Sequence, residues 1–318
     1  MDATLAPLVE ALKTKKKVCL FTGAGVSTAA GIPDFRSPDT GLYSNLAKLN
    51  LPYAEAVFDI DFFKEDPQPF YTLAEELFPG KFAPTKFHYL VRILQEKNLL
   101  QRVYTQNIDV LDRLAGVEDD FIVEAHGSFA TSRCIDCKKE VSIEKLKQMM
   151  KEKTPTCANC DGFIKPDITF YGEGLPSKFF ETWEEDVDDV EVAVIAGTSL
   201  TVHPFASLPS SVDKSSLRVL VNREKVGDLG RRKKDIVALL DCDEFAETLA
   251  TLLGWKKELD KYYEEGQKKY GKSESIEDEL EKIDESLEKK ANIKKKEKAE
   301  IPPEDDEELE ELINKLKI

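Results

Sequence analysis

Four of the six cysteines are spaced like metal ligands. Cys134 and Cys137 form one Cys-x-x-Cys pair, Cys157 and Cys160 form another, and 19 residues separate the two pairs. This spacing is typical of zinc sites in which four thiolates surround the metal as a tetrahedron. Because four protein ligands leave no position for water, the predicted zinc ion is structural. A redox pair and free thiols are the alternatives, and both explain the repeated spacing less well.

Histidine is the second residue type that could do chemistry here. The chain has three histidines, and we select His126, at the end of a predicted strand, as the candidate general base. An imidazole titrates near neutral pH, so it can both take and return a proton. His88 lies in a predicted helix and His203 precedes a proline, and we interpret both as structural residues.

A glycine turn at residues 23–27 (GAGVS) follows a predicted strand and precedes a predicted helix. Exposed backbone N–H groups and a helix dipole at such a turn can hold a pyrophosphate, although a turn without a ligand is the alternative. The third glycine of the dinucleotide fingerprint would fall at Thr28, and no acid follows about 20 residues later at the end of a second strand. These departures disfavour a dehydrogenase.

Short apolar runs that alternate with helical stretches predict the strands that position these residues. The runs are 18–23, 102–107, 121–127, 167–172, 192–199 and 217–222. Such alternation favours an α/β fold with a parallel sheet. Ligands bind at the carboxyl ends of the strands in these sheets, and here those ends carry polar residues. The candidate residues therefore gather where a site is expected.

The composition excludes several classes of partner. A formal net charge of −16 disfavours direct nucleic-acid binding and suits basic protein tails better. No run approaches the roughly 20 apolar residues of a membrane span. The first residues resemble neither a secretory signal, since the lysines follow the apolar part, nor a mitochondrial presequence, since they lack arginine. We expect a protein of the cytoplasm, the nucleus or both, without a membrane partner.

Five motifs occur in a fixed order along the chain: 29–37 (AAGIPDFRS), 105–109 (TQNID), 126–128 (HGS), 197–199 (GTS) and 221–224 (VNRE). Together with the paired cysteines they resemble the sirtuin family, and the resemblance runs from about residue 8 to residue 255. It is closest to the class I type, the cytoplasmic and nuclear deacetylases.

The resemblance implies a Rossmann-like parallel sheet with helices on both faces, together with a small domain made of a zinc ribbon and a helical module. The predicted boundaries are 1–35, 87–130 and 165–255 for the NAD-binding domain, 36–86 for the helical module and 131–164 for the zinc ribbon. Residues 256–318 are more than half charged, and we predict a partly helical C-terminal tail outside the core. A leucine-rich helix near its end, at residues 309–318, could serve nuclear export or cover the NAD cleft.

The resemblance also implies the activity, which is NAD-dependent deacetylation of lysine side chains. In the family's reaction the acetyl oxygen attacks C1′ of the nicotinamide ribose, nicotinamide leaves, and an alkylamidate forms. Water then yields free lysine and O-acetyl-ADP-ribose, so NAD is a consumed co-substrate. The partners are acetylated proteins, with histone and tubulin tails among the candidates. A mono-ADP-ribosyltransferase using the same NAD site and a non-catalytic acetyl-lysine or NAD binder are the alternatives.

Individual residues receive roles from the same resemblance. The implied catalytic residues are His126, as general base, with Gln106, Asn107 and Asp109. The implied NAD-binding residues are Ala24, Gly25, Ser27, Asp34, Phe35, Arg36, Gln106, Asn107, Asp109, Gly197, Thr198, Ser199, Asn222, Arg223, Glu224, Cys242 and Asp243. The implied substrate segment contains Ile168, Thr169, Phe170, Gly172 and Glu173. The branch that prefers acidic acyl groups carries Tyr-x-x-Arg where this chain has Ala74 and Leu77, so we expect a neutral acyl group.

Overall fold

The computed structural model describes residues 2–32, 51–78 and 81–271, and its strands form two sheets. In chain order the strands are β1 (Val18–Thr22), β2 (Leu100–Thr105), β3 (Ile122–Glu124), β4 (Gly127–Cys134), β5 (Glu140–Val141), β6 (Ile164–Ile168), β7 (Val192–Ala196), β8 (Leu217–Asn222) and β9 (Ile236–Leu239). The described helices are α1 (Asp2–Lys13), α2 (Ile60–Glu65), α3 (Gln68–Leu77), α4 (Lys86–Glu96), α5 (Leu111–Ala115), α6 (Ile143–Glu152), α7 (Ser177–Asp186), α8 (Leu208–Ser211), α9 (Cys242–Leu253) and α10 (Lys256–Tyr270). Within these ranges, no helix has the length and apolar character needed to span a membrane.

The large sheet has six parallel strands in the order β3-β2-β1-β7-β8-β9. The chain builds outward from β1 to β3 on one side and then crosses to β7, from which it builds outward on the other side. The strand order therefore reverses between β1 and β7, and open α/β sheets bind ligands outside such a point. The predicted parallel α/β sheet is confirmed.

Both faces of this sheet are buried. In β1, Val18 and Leu20 pack into a core with residues of α1, α4, α9 and α10, whereas Cys19 and Phe21 pack into a second core with residues of α7 and α8. Successive side chains of a strand point to opposite faces. A strand covered by helices on both sides therefore reads as a continuous apolar run, which is why the sequence revealed it.

The small sheet is antiparallel, with strand order β5-β4-β6. The prediction that the run at 167–172 belongs to the parallel sheet is wrong, because β6 covers Ile164–Ile168 and pairs with β4. A short apolar run has the same appearance in either kind of sheet, so its pairing could not be deduced. The predicted domain boundaries stay predictions.

The segment after Trp255 does not lie outside the core as far as α10 extends. Leu259 is fully buried in the core beside α4, and Gly266 lies under Tyr89, where a Cβ would come within 1.7 Å of the tyrosine hydroxyl. Apolar and small residues recur here at helical spacing, so one face of a highly charged helix can still pack. The predicted leucine-rich helix near the C-terminus lies outside the described residues.

Candidate active site

A cavity of about 1070 Å³ lies at the carboxyl ends of β1, β2, β7 and β8, beside the segment that follows β6. Most of the predicted site residues line it: Ala24, Gly25, Gln106, Asn107, His126, Ile168, Thr169, Phe170, Gly172, Glu173, Gly197, Thr198, Ser199, Asn222, Arg223, Glu224 and Cys242. Three other predicted residues are absent from the lining: Ser27, Asp109 and Asp243. A further three lie outside the described residues: Asp34, Phe35 and Arg36.

The glycine turns after β1 and β7 touch each other at the edge of the sheet. The backbone N–H of Gly25 donates to the carbonyl of Gly197 over 2.8 Å. A Cβ on Gly25 would lie 2.6 Å from the Cα of Gly197, and one on Gly23 would lie 2.8 Å from the Gly197 carbonyl oxygen. Since only glycine allows backbones to approach so closely, these residues bring both turns into the wall of one cavity.

Within the described residues 24–32, no α-helix follows the first glycine turn. Residues Ala24–Val26 and Thr28–Ala30 form two 3₁₀ turns, and Gly31 ends the second with a φ of 90°. The amides of Gly25, Val26 and Ser27 donate within the protein. The prediction of a helix dipole and freely exposed amides is therefore wrong for these three positions, because the turn binds the amides of Val26 and Ser27 to its own carbonyls, and the amide of Gly25 donates to Gly197.

Asn107 connects this turn to a buried carboxylate. Its Nδ2 donates to the carbonyl of Gly23 over 3.2 Å and to Oγ of Ser27 over 3.1 Å. Oγ of Ser27 in turn donates to Oδ2 of Asp109 over 2.6 Å. Burial raises the pKa of Asp109 above its ordinary value. With its Nδ2 committed, Asn107 has its amide oxygen left to accept a hydrogen bond from a ligand.

The imidazole of His126 lies against the end of β2. Its Nδ1 is 3.0 Å from the carbonyl oxygen of Gln106, and Nε2 of Gln106 donates to Oγ1 of Thr198 over 2.7 Å. Because a carbonyl oxygen can only accept, Nδ1 carries the proton and Nε2 is left as the basic nitrogen. Burial lowers the pKa of His126 below its ordinary 6.5, which keeps the ring neutral at pH 7.

The predicted substrate segment begins directly beside this histidine. The amide of Thr169 donates to the carbonyl of His126 over 2.8 Å, and the amide of Tyr171 donates to the carbonyl of Phe58 over 2.8 Å. The amide of Phe170 donates to Oε2 of Glu173 over 2.9 Å. These three amides are engaged within the protein, so a peptide that pairs here must use carbonyl groups or later amides.

A buried lysine holds this segment in shape. Nζ of Lys165 donates to the carbonyl of Ile168 over 2.6 Å, lies 3.0 Å from Oε2 of Glu173 and stacks over the Phe170 ring at 4.4 Å. Burial lowers the pKa of this lysine, and the Glu173 carboxylate opposes that shift. Lys165 thus joins the end of β6 to the turn that follows it.

We expect Lys165→Met to destabilise the protein by about 2–3 kcal/mol, because Glu173 loses its cation and the Ile168 carbonyl loses its donor. Denaturant unfolding measures this change. Lys165→Arg, which keeps the charge, is the control and should recover part of the loss. Equal stability of the methionine variant and the parent chain would contradict this account.

The far end of the cavity carries polar residues that follow β8. Nδ2 of Asn222 donates to the carbonyl of Glu224 over 3.0 Å, and Nε of Arg223 donates to Oδ1 of Asp241 over 2.7 Å. The carboxylate of Asp243 points elsewhere, since its Oδ1 accepts from the amide of Phe87 at the start of α4 over 3.0 Å. Its side chain thus belongs to the packing of α4 and α9.

The four paired cysteines come together at one end of the small sheet, and their Sγ atoms all lie within 4.8 Å of one another. Cys134 and Cys160 are 3.5 Å apart, and Cys137 and Cys157 are 3.6 Å apart. A zinc tetrahedron with bonds of 2.3 Å requires sulfur separations of about 3.8 Å. The cluster therefore fits a structural zinc ion, and none of the four cysteines is among the cavity-lining residues.

Sequence reasoning missed part of the cavity wall, including Phe58, Phe180, Thr201 and His203. His203, interpreted as structural, is exposed and lines the cavity, and its interpretation as structural stays a prediction. Its place just after the GTS motif at the end of β7 could have indicated that it lines the cavity. His88 is structural as predicted: it is buried, and its Nδ1 accepts from the amide of Thr85 over 3.2 Å.

The fold and the site define an α/β protein that binds a ligand at the switch point of a parallel sheet and carries a small metal module. Residues 23–204 match the Sir2 family. The chain is 61% identical, over its whole length and 99% of the relative, to the NAD-dependent protein deacetylase HST2 of Candida albicans. It is 51% identical to the NAD-dependent protein deacetylase hst2 of Schizosaccharomyces pombe over 91% of the chain and 86% of that protein.

A third relative is the NAD-dependent protein deacetylase sirtuin-2 of Danio rerio, with 48% identity over 78% of the chain and 70% of that protein. The chain belongs to the Sir2 family. The resemblance that the five motifs indicated is therefore confirmed.

Proposed function

We propose that this chain is an NAD-dependent protein lysine deacetylase, which transfers the acetyl group of acetyl-lysine to ADP-ribose and releases nicotinamide and O-acetyl-ADP-ribose. The position of His126 carries the proposal, because this residue lines one cavity together with the glycine turn at 23–25 and the segment after β6. Acyl transfer to a ribose needs a base between the dinucleotide and the acylated amine. The names of the relatives above support the same activity.

The cavity suits two substrates at once. Its volume of about 1070 Å³ slightly exceeds that of common small-molecule pockets, which span roughly 300–1000 Å³. NAD would lie along the ends of β1, β7 and β8, where Gly25, Thr198 and Glu224 line the wall. The acylated side chain would enter beside Thr169 and Phe170. Both ligands then meet next to His126.

In this arrangement Nε2 of His126 takes the proton of a ribose hydroxyl, while the Gln106 carbonyl holds the proton on Nδ1. The amide oxygen of Asn107 accepts from the ribose or from water. The hydrogen bonds from Asn107 to Ser27 and from Ser27 to Asp109 hold the Asn107 side chain in position. The zinc ion held by the four cysteines fixes the small module and takes no part in the reaction.

The acyl group is proposed to be neutral, with acetyl as the reference substrate. Ala74 takes the place of the tyrosine found in the branch that prefers acidic acyl groups. It is fully buried, and its methyl side chain offers no polar group that could bind a carboxylate. The side chain of Leu77 lies outside the described ones. An acidic acyl group would bury its carboxylate at a cost unless a cation paired with it.

Labelled NAD tests the proposed reaction directly. With purified chain, NAD labelled in the ADP-ribose part and an acetyl-lysine peptide, we expect the label in O-acetyl-ADP-ribose, in amounts equal to the deacetylated peptide. Label retained on protein would instead indicate a mono-ADP-ribosyltransferase. A matched succinyl-lysine peptide should react less efficiently, and the reverse order would contradict the neutral acyl preference.

The substrates are proposed to be acetylated lysines in basic protein segments, with histone and tubulin tails among the candidates. The net charge of −16 supports this choice, because an acidic protein attracts lysine-rich tails. Residence in the cytoplasm, the nucleus or both is proposed on the resemblance of the motifs to the class I type.

A further inference from the structure

Two exposed aromatic side chains line the cavity, one after β6 and one on α7. Tyr171 is 47% exposed and Phe180 is 52% exposed, although large aromatic side chains are usually buried. Large exposed apolar groups at a cavity commonly mark a contact surface. Their position places them where a polypeptide carrying the acylated lysine would pass.

The exposed face of α7 continues outward from Phe180. A helix turns about 100° per residue, so Phe180, Glu181, Glu184 and Glu185 fall within an arc of roughly 140°. All four are exposed. The buried residues of the helix lie on the opposite face and are Phe179, Thr182 and Asp186. We call Glu181, Glu184 and Glu185 the acidic face of α7.

The acidic face is not neutralised by nearby cations. Within residues 2–32, 51–78 and 81–271, no lysine or arginine forms an ion pair with any of its three carboxylates. The basic residue on the same helix, Lys178, donates instead to the carbonyls of Asp119 and Ile122. The three charges therefore face solvent beside an exposed ring.

We infer that Phe180 and the acidic face of α7 bind the part of the substrate that flanks the acylated lysine, and that this flank is rich in lysine and arginine. The inference rests on the proposed deacetylase function and names the substrates that function would favour. The occupant follows from charge complementarity and from the continuity of this face with the cavity. Long basic side chains can lay their apolar stems over Phe180 and Tyr171 while their charges reach the carboxylates.

Helix and strand geometry set where the basic residues should lie. Glu184 is one helical turn beyond Phe180, which is about 6 Å along the axis at 1.5 Å per residue. An extended peptide covers that distance in about two residues, at roughly 3.3 Å each. Basic residues should therefore act two or more positions farther from the acylated lysine than the residue that contacts Phe180.

Two acetyl-lysine peptides test the inference, identical except that the flank holds three arginines in one and three glutamines in the other. In the variant Glu181→Gln/Glu184→Gln/Glu185→Gln, kcat/KM for the arginine peptide should fall roughly fivefold to tenfold, mostly through KM, since each exposed ion pair contributes modestly. The glutamine peptide should react as with the parent chain. The arginine peptide should also lose part of its salt dependence.

A charge-matched control is Glu10→Gln/Glu264→Gln/Glu265→Gln, which removes three exposed acids from α1 and α10. It should leave both peptides unchanged, because α1 and α10, unlike α7, contribute no residue to the cavity lining. An equal loss in the control, or no loss for the arginine peptide in the α7 variant, overturns the inference while leaving deacetylation intact. If the parent chain deacetylates neither peptide with NAD, the proposed function itself fails and the inference falls with it.

Discussion

Replacing His126 by alanine is expected to lower kcat for NAD-dependent deacetylation by about 10²- to 10⁴-fold, the range that a positioned general base contributes. No other described histidine has a ring nitrogen bound to the Gln106 carbonyl, so no neighbour can take over the same proton. The fold should tolerate the change, because the alanine leaves the backbone contact from Thr169 to residue 126 in place. Steady-state release of nicotinamide and of free lysine measures the effect.

The second histidine of the cavity provides the matched control. His203→Ala should keep kcat within a few-fold of the parent chain, because His203 is exposed and, unlike His126, has no hydrogen bond to the Gln106 carbonyl in the described part of the chain. The unfolding temperatures of both variants should be measured, so that a loss of activity can be distinguished from a loss of folded protein. A His126→Ala enzyme that retains kcat within tenfold would remove the histidine from the proposed role.

The pH dependence of the parent enzyme follows from the same residue. Burial lowers the pKa of His126 below 6.5, and the base works only when neutral. Activity should therefore persist as the pH falls through 6.5 and should decline only below that value. The acid limb of kcat/KM reports this pKa for the free enzyme, and a limb above pH 6.5 would contradict the assignment.

Removal of the zinc ion is expected to have the largest effect on folding. Structural zinc contributes roughly 10–16 kcal/mol in zinc-finger peptides, more than the usual stability of a whole domain. The buried Cys134 and Cys157 also belong to the core of the small module, together with Ile143 and Leu146. Without the metal, four converging thiols lose their common partner, and the segments that carry them should separate.

Unfolding around the zinc site should also disturb the cavity. The strand β4 begins next to His126, and β6 ends next to Thr169. We expect Cys137→Ser to bind less than one zinc per chain, to unfold at lower temperature and to lose deacetylase activity. Cys19→Ala is the control, since Cys19 lies in the core of the large sheet, and it should keep one zinc per chain. Full metal content in Cys137→Ser would contradict a four-cysteine site.

The sequence predicted best what depends on local pattern. Buried parallel strands are continuous apolar runs, so β1 and β8 were identified nearly to the residue, and the run for β7 began correctly but ended three residues late. The zinc cluster followed from spacing alone, because paired thiolates at that separation have few other uses. The polar residues at the strand ends followed from the rule that parallel strands finish at one edge.

Features that depend on contacts between distant segments were missed or misplaced. Nothing in the sequence of the β6 run indicates that it pairs with β4 in an antiparallel sheet. The packing of α10 depends on Gly266 meeting Tyr89, which are 177 positions apart in the sequence. The turns after β1 place Gly25 against Gly197, a partner that no local pattern reveals. His203 lies in the cavity wall because of the path that the chain takes after β7, which the sequence does not reveal.

The contact between the two glycine turns ties this part of the cavity wall to neighbouring strands of the large sheet. Gly25 donates to the carbonyl of Gly197, and the amide of Gly197 donates in turn to the carbonyl of Val221 in β8. A transient opening of the first turn must therefore break links that lead into the centre of the sheet. Local unfolding is rare where such links converge. This part of the cavity wall can thus keep its conformation between turnovers, whether or not a ligand is bound.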